Sequence, residues 1–572
     1  MRKLNIVIAG IMLACIGMSG CGNTQNVSDK TTQPVIEKVQ EKEVAVSLKS
    51  IENSYKQMNE VFSQKFQNNV LEQINTLKKS GSYSIDKPLV IYNPFGTVDN
   101  GLYLYFQTED ASYIEYTVET EGYGSFTRTL NNDCENNLAT EHEYMLIGSI
   151  PGQKNKITLN QYNKENQLVS TIKFDYNAPE LANDYGYQCK MEKGDSSQAL
   201  SDGLYVSFRN VYTKAEKGDE AGVEKKSDYY GMSMFDNDGV IRCIMPIESF
   251  MTHRLVFDED GGLYYAASKY KLVRMERTGY VSNVYNTGNY GLHHDVIMGE
   301  NNKIILCGTG KSGESEEDLI ITIDRVTGEV EKMVDFREMF SEYYNNTTWG
   351  KFTSKRLDWF HINGMTLTDE GDLIISAREI SIILKITDIY NEPKIEYILG
   401  SDNFFKDTEY EKYLYKPIGE KFSLHTGQHS VDYITDERLE KGQYYLTLYN
   451  NNMANSTYGA TTYDWSADDN YFGATFLGKV VDNDEVDSYY YKYLVDENKK
   501  TFKLVDSIPV DYSAIVSSAQ LLNNGNVVTC SGMKKSIAEY DSEGKLIAKF
   551  TGIGKGYIYR CYKYDLKGEW FK

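Results

Sequence analysis

The chain holds only 7 histidines in 572 residues, and five of them fall in three short motifs. These are Gly291-Leu-His293-His294-Asp295, Asp358-Trp-Phe-His361-Ile-Asn363 and His425-Thr-Gly-Gln-His429-Ser430. A lone arginine, Arg378 in Ser376-Ala-Arg378, follows the second motif at the far end of an apolar run. Imidazole is the side chain that changes charge, acts as a nucleophile and donates hydrogen bonds near neutral pH. Such clustering predicts a site built from histidines. Plainer readings stand beside it. His361 next to Trp359 suits a packed channel residue, and Arg378 next to Glu379 suits a surface ion pair. His425 and His429 have the spacing of a helical metal pair, but the intervening Thr-Gly is poor helix. His142 and His253 belong to no motif and read as structural.

The elements must bring these motifs together. Each motif lies upstream of a strand opened by a tight turn: His294 before 304–307, His361 before 372–376, His429 before 443–448. From about residue 180, Gly turns followed by apolar strands alternate with strand–polar turn–strand units. Gly261-Gly-Leu-Tyr-Tyr-Ala266 and Gly371-Asp-Leu-Ile-Ile375 are of the first kind; Ile323-Asp-Arg-Val-Thr-Gly328-Glu-Val330 is of the second. Five or six loose copies of a four-stranded unit, about 40 to 80 residues apart, predict a β-propeller with long insertions at 400–421 and 450–500. Innermost propeller strands converge on one channel, so residues about 65 apart in sequence can meet there. Strand alternation places Trp359, His361 and Asn363 on one face, with Asp358 and Phe360 on the other. Only one of His293 and His294 can then point inward.

Arg2 and Lys3 precede an apolar stretch and Gly17-Met-Ser-Gly-Cys21, which resembles a lipoprotein signal peptide over 1–20 with Cys21 as the lipidated residue. The stretch is short for a membrane span. The mature chain is therefore expected to be exported, tethered by lipid on the outer side of the cytoplasmic membrane. Residues 21–45 read as a disordered tether. Apolar positions recurring every three to four residues predict an amphipathic helix over 46–80. Period-two runs over 86–178 predict a small β-sandwich, and 180–572 the propeller. Tyrosine is abundant at 47, which favours β structure. The net charge of −22 excludes nucleic acid as a partner but not a small anion in a locally basic pocket. Beyond Cys15 and Cys21, six cysteines remain (134, 189, 243, 307, 530, 561), none at metal-ligand spacing, so no metal is expected.

Together, Asp358-Trp-Phe-His-Ile-Asn363, Ser376-Ala-Arg378, Ile398-Leu-Gly400, Gly427-Gln-His429-Ser430 and His293-His-Asp295 resemble the bacterial aryl-sulfate sulfotransferase family. These enzymes work without phosphoadenosine phosphosulfate. Asn93-Pro-Phe-Gly96 is similar to the start of that family's N-terminal sandwich. The resemblance covers about residues 86 to 572. It implies an all-β fold: a six-bladed propeller behind a sandwich. It also implies transfer of a sulfuryl group from an aryl sulfate to a phenol, with no cofactor. By it, His429 is the nucleophile that is transiently sulfated, and His361, Arg378 and His294 hold the transferring group. His294 is favoured over His293 because it adjoins Asp295. His293, Asn363 and His425 are auxiliary substrate-binding candidates. A second copy of the chain is a candidate partner. Two other readings remain: a non-catalytic cell-surface propeller binding a sulfated or aromatic ligand, and a hydrolase.

Overall fold

The computed structural model describes residues 39, 41–132, 137–181, 186–209, 230–249, 251, 253–347, 356–457, 463–477, 483–554 and 557–572. The signal-peptide stretch, Cys21 and Cys134 lie outside the described residues. Residues 40–572 form one compact unit. It is mostly β, with 47% strand against 9% helix, and its propeller has six blades.

The tether was expected to reach residue 45, but Glu41–Glu43 pairs in parallel with the strand Leu168–Asn177. Only two stretches of the predicted 46–80 helix are helical, Met58–Val61 and Gln64–Ser80. Ser63 caps the longer one, its side chain accepting from Phe66 N at 3.3 Å. Upstream, the backbone is claimed by the sandwich: Lys49 N donates to Val90 O at 2.8 Å. A helix there would forfeit that bond, so the apolar spacing alone was misleading. The helix buries Gln67, Val70 and Ile74. Gln67 Nε2 donates to Val61 O (2.8 Å) and Phe95 O (3.0 Å), and its Oε1 accepts from Val281 N of the second blade (3.1 Å). One satisfied buried amide thus ties helix, sandwich and propeller together.

In the sandwich, one 19-residue strand, Leu102–Thr120, belongs to both layers. Its first half pairs with Leu89–Tyr92 and Ala139–Leu146; its second half pairs with Phe126–Thr129 and Lys154–Tyr162. The register slips between Gln107 and Ser112, so a bulge bends the strand from one layer into the other. The sandwich docks on the first blade through backbone groups. Asn100 Nδ2 donates to Ser149 O and Arg242 O at 3.0 Å each, and Gly148 N donates to Arg242 O at 2.7 Å.

The first blade is built from both ends of the propeller chain. Cys561–Tyr564 is its innermost strand, paired with Leu204–Arg209, then Tyr230–Phe235 and Ile241–Ile247. The sixth blade, from Ser518–Leu521 to Leu546–Thr551, gains Lys190–Lys193 on its outer edge. Each terminal segment therefore closes the ring at a different radius. Between them run blade two (Val256–Phe257 to Val281–Asn286), blade three (Tyr290–Met298 to Val330–Asp335), blade four (Ile362–Leu367 to Lys394–Leu399) and blade five (His429–Ile434 to Thr501–Asp511). Their strands read as near-continuous apolar runs because both faces are covered by neighbouring blades; Ile382, Ile383, Leu384 and Ile386 are all fully buried. The expected 450–500 insertion is shorter than predicted, since Asp487–Asp496 is the third strand of blade five.

Candidate active site

Three inner strands depart from regular pairing at the motif residues. The register slips between His293 and Val296 in blade three, between Ile362 and Gly364 in blade four, and between His429 and Asp432 in blade five. Left-handed φ falls at or next to each slip: His294 (48°) and Ser430 (64°) lie within theirs, and His361 (58°) directly precedes the one in blade four. Such backbone costs about 1–3 kcal/mol per residue and re-aims side chains toward the channel. The alternation expected around Trp359 fails for this reason. The turn at His361 folds the segment back, so His361 Nδ1 lies 2.6 Å from Asp358 Oδ2, three residues earlier. Trp359 is buried instead, its Nε1 donating to Asp318 Oδ2 at 3.0 Å.

The centre of the site is His429, fully buried. Its Nδ1 lies 2.8 Å from Asn451 Oδ1 and 3.1 Å from Gly427 O. The Asn451 amide nitrogen donates to Ser513 O (2.7 Å) and Val516 O (2.9 Å), which fixes Oδ1 toward the imidazole. Both neighbours of Nδ1 are thus acceptors, so Nδ1 carries the proton and Nε2 the lone pair. Among the described residues, Nε2 has no hydrogen-bond partner. Burial, followed by the nearby charge of Arg378, holds the His429 pKa well below the ordinary histidine value. The ring stays neutral.

Around it stand the other motif residues. The His294 and His361 rings are 4.7 Å apart, and Tyr559 stacks on His294 at 4.9 Å while approaching His429 at 6.0 Å. Arg378, His361 and His294 all act electrostatically on His429. Arg378 is no surface ion pair: it is buried, with Nε and Nη2 donating to Glu379 Oε1 at 3.0 and 2.9 Å. Ser456 donates to the other oxygen of Glu379. This fixes the plane of the guanidinium.

Not every candidate joins the group in the expected way. His425 packs against Tyr493, with Nδ1 3.2 Å from its hydroxyl, on the blade-five core side. Asn363 bridges strands: its Nδ2 donates to Gln428 O at 2.7 Å, and its carbonyl accepts from Arg560 Nη2 at 3.0 Å. Asp295 does not support His294. Its carboxylate accepts from Arg254 Nε and Nη2 (2.9 Å each) and from Arg560 Nη1 (2.7 Å), a buried knot in the channel. His293 is not turned fully away either. Its ring is 5.0 Å from that of His294, and both lie near Glu317, because the slip in register leaves the two side chains no longer on strictly opposite faces.

Sequence reasoning missed Asn451, Tyr559 and Glu317. Glu317 Oε2 lies 2.8 Å from His294 Nε2 and 2.6 Å from His361 Nδ1. The ligand atoms of Glu317, His293 and His294, and likewise of Glu317, Asp358 and His361, lie within 4.8 Å of one another. Those that touch do so at hydrogen-bond distance, as imidazole–carboxylate pairs. Burial and Arg378 push the His361 pKa down, but Asp358 and Glu317 outweigh them and raise it to about 9. His361 is therefore an imidazolium at neutral pH. Burial keeps His294 neutral, at about 3. A neutral imidazole with an unpartnered lone pair, an imidazolium and a fixed guanidinium in one cluster suit transfer of a group with several anionic oxygens.

A family model described as Arylsulfotransferase (ASST) matches residues 190–560. The chain belongs to this family, a sulfotransferase family. No curated protein matches it. Some solved structures are similar at low identity. A 6-phosphogluconolactonase, so described provisionally, from Bacteroides fragilis is 13% identical over 64% of this chain and 100% of its own, with a TM-score of 0.33. An auxiliary nutrient binding protein from Bacteroides thetaiotaomicron is 10% identical over 83% and 94%, with a TM-score of 0.31. A virginiamycin B lyase from Staphylococcus aureus is 10% identical over 64% and 99%, with a TM-score of 0.27. At these scores the likenesses carry no functional argument.

Proposed function

We propose that the protein is an aryl-sulfate:phenol sulfotransferase that works through a sulfohistidine at His429. The observation that carries the reading is the fixed tautomer of His429, which leaves Nε2 unprotonated on the ring edge opposite Asn451. In the first half-reaction, that lone pair attacks the sulfur of an aryl sulfate. The N–S bond forms as the S–O(aryl) bond breaks, and the bonding pair leaves on the aryl oxygen. The His361 imidazolium gives that oxygen its proton. Positive charge arising on the sulfated ring is met by Asn451 Oδ1 and Gly427 O, which accept from Nδ1. Arg378 holds equatorial sulfuryl oxygens through a loose transition state, while His294, with its Nε2 turned to Glu317, packs beside the site under Tyr559. In the second half-reaction, an acceptor phenol returns a proton to His361. Its oxygen attacks sulfur, and the N–S pair goes back to Nε2.

We further infer that the chain is lipidated at Cys21 and acts outside the cytoplasmic membrane, on the strength of Gly17-Met-Ser-Gly-Cys21. For the chemistry, intact-mass analysis after incubation with a chromogenic aryl sulfate and no acceptor is decisive. One added sulfuryl group on the peptide holding Gly427–Ser430 is expected, absent in His429→Ala. Phenolate release with no acceptor dependence and no labelled peptide would mean hydrolysis; no release at all would mean a binding module.

A further inference from the structure

Glu317 lies in none of the histidine motifs. It sits in an insertion between two strands of blade three, Lys303–Gly310 and Leu319–Asp324. Ser315–Glu316 pairs in parallel with Leu357–Asp358, so the insertion crosses to blade four. Glu317 has a left-handed φ of 60°. Its N–H donates to Thr309 Oγ1 at 2.9 Å, and its carbonyl accepts from Ile362 N at 3.0 Å. With its backbone held from two blades, it presents a single oxygen to two rings: Oε2 is 2.8 Å from His294 Nε2 and 2.6 Å from His361 Nδ1.

A carboxylate beside an anionic substrate is unfavourable unless cations stand between them. Here Glu317 faces His361 Nδ1, so the imidazolium's other proton, on Nε2, points away from it. We propose that Glu317 is a positioning residue for sulfuryl transfer: its carboxylate fixes His294 as the Nε2–H tautomer and holds His361 doubly protonated. The proposal rests on the sulfotransferase reading for its function, but not for its geometry.

Other charges bear on the same rings. From blade four, Asp358 accepts from His361 Nδ1 at 2.6 Å, and Arg378 Nη2 lies 3.7 Å from Asp358. Glu379 offsets Arg378. From blade three comes His293, itself acted on by Asp318; from blade five comes neutral His429. From the C-terminal segment Tyr559 stacks on His294, and Arg560 is spent on Asp295. Burial pushes Asp358 up to about 7, with Glu317's charge adding to it. Burial alone would also raise Glu317, but the surrounding histidines hold it well below the ordinary carboxylate range. The sign follows. Removing the Glu317 charge lowers the His361 pKa from about 9, so the cation is lost at lower pH.

Two readouts test this in the full chain: the pH profile of kcat/KM with an aryl sulfate, and the ¹⁵N signals of labelled histidines, which need no turnover. In Glu317→Gln, the alkaline limb near pH 9 is expected to move down by a unit or more, with a matching shift in the His361 titration. Glu317→Asp, which keeps the charge, should hold the limb closer to wild type. A pH-independent loss of rate in Glu317→Gln, or an unshifted His361 titration, would overturn the proposal. If the wild type transfers no sulfuryl group, the functional reading fails while the ¹⁵N comparison still decides the role of Glu317.

Discussion

At the scale of single residues, the chemistry turns on which ring nitrogen carries a proton. Asn451 decides this for His429 because its own amide protons are committed to Ser513 O and Val516 O. Replacing it with alanine frees the ring to adopt the other tautomer. Asn451→Ala is therefore expected to slow phenolate release about 10²-fold, the usual scale for losing a residue that orients a ligand or nucleophile, with little change in thermal stability. A stopped-flow burst measurement separates the two effects; an unchanged burst rate would remove Asn451 from the mechanism. His429 stood out in the sequence because a rare residue type recurred in three spaced motifs, and its proposed role as nucleophile came from the family resemblance. Asn451 did not stand out. Asparagine is common here, and only the path of the chain after blade five's second strand places Asn451 against the ring.

At the scale of elements, bulges and close approaches set the spacing. Gly532 follows the second strand of blade six, and an added Cβ there would lie 2.0 Å from Ile558 O. Its carbonyl accepts from Ile558 N at 3.1 Å, which seats the segment carrying Tyr559 and Arg560. Gly532→Ala must push that segment away. A loss of about 1–3 kcal/mol is expected from forcing extra volume into packed structure, read as a shifted midpoint in urea, together with reduced transfer. Wild-type stability would show that the segment can yield without cost. The strands and their repeat were readable from Gly turns and apolar runs. The misreadings arose where local pattern and long-range pairing compete: 46–57 has helical spacing but lies along the sandwich, and 358–361 has strand spacing but turns. Glu317 was hidden for a related reason. A polar Gly-Lys-Ser-Gly-Glu-Ser-Glu-Glu stretch reads as a solvated loop until its pairing with blade four is seen.

At the scale of the whole molecule, location and closure matter most. Cys21→Ser should shift the protein from the membrane fraction to the soluble one without altering its turnover, as judged by fractionation and by the mass of the N-terminal peptide. Membrane association that survives the substitution would point to another anchor. None of the described helices is long and apolar enough to cross a membrane. The repeats narrowed the blades to five or six, and the family resemblance implied the six that are present. The joining of the ends was not accessible, since Cys561–Tyr564 and Leu204–Arg209 are neighbours only after folding.

That joining has a consequence for biogenesis. The innermost strand of the first blade follows the strands of all the other blades in sequence, and it is preceded directly by Tyr559 and Arg560, which lie beside His294 and Asp295. Blades two to five are each built from strands that follow one another in sequence, so their pairing does not wait for Tyr559 and Arg560, and the centre stays unfinished until this segment docks. On the proposed chemistry, a competent centre exists only once the ring has closed, so the reactive imidazole is assembled by the same event that completes the fold.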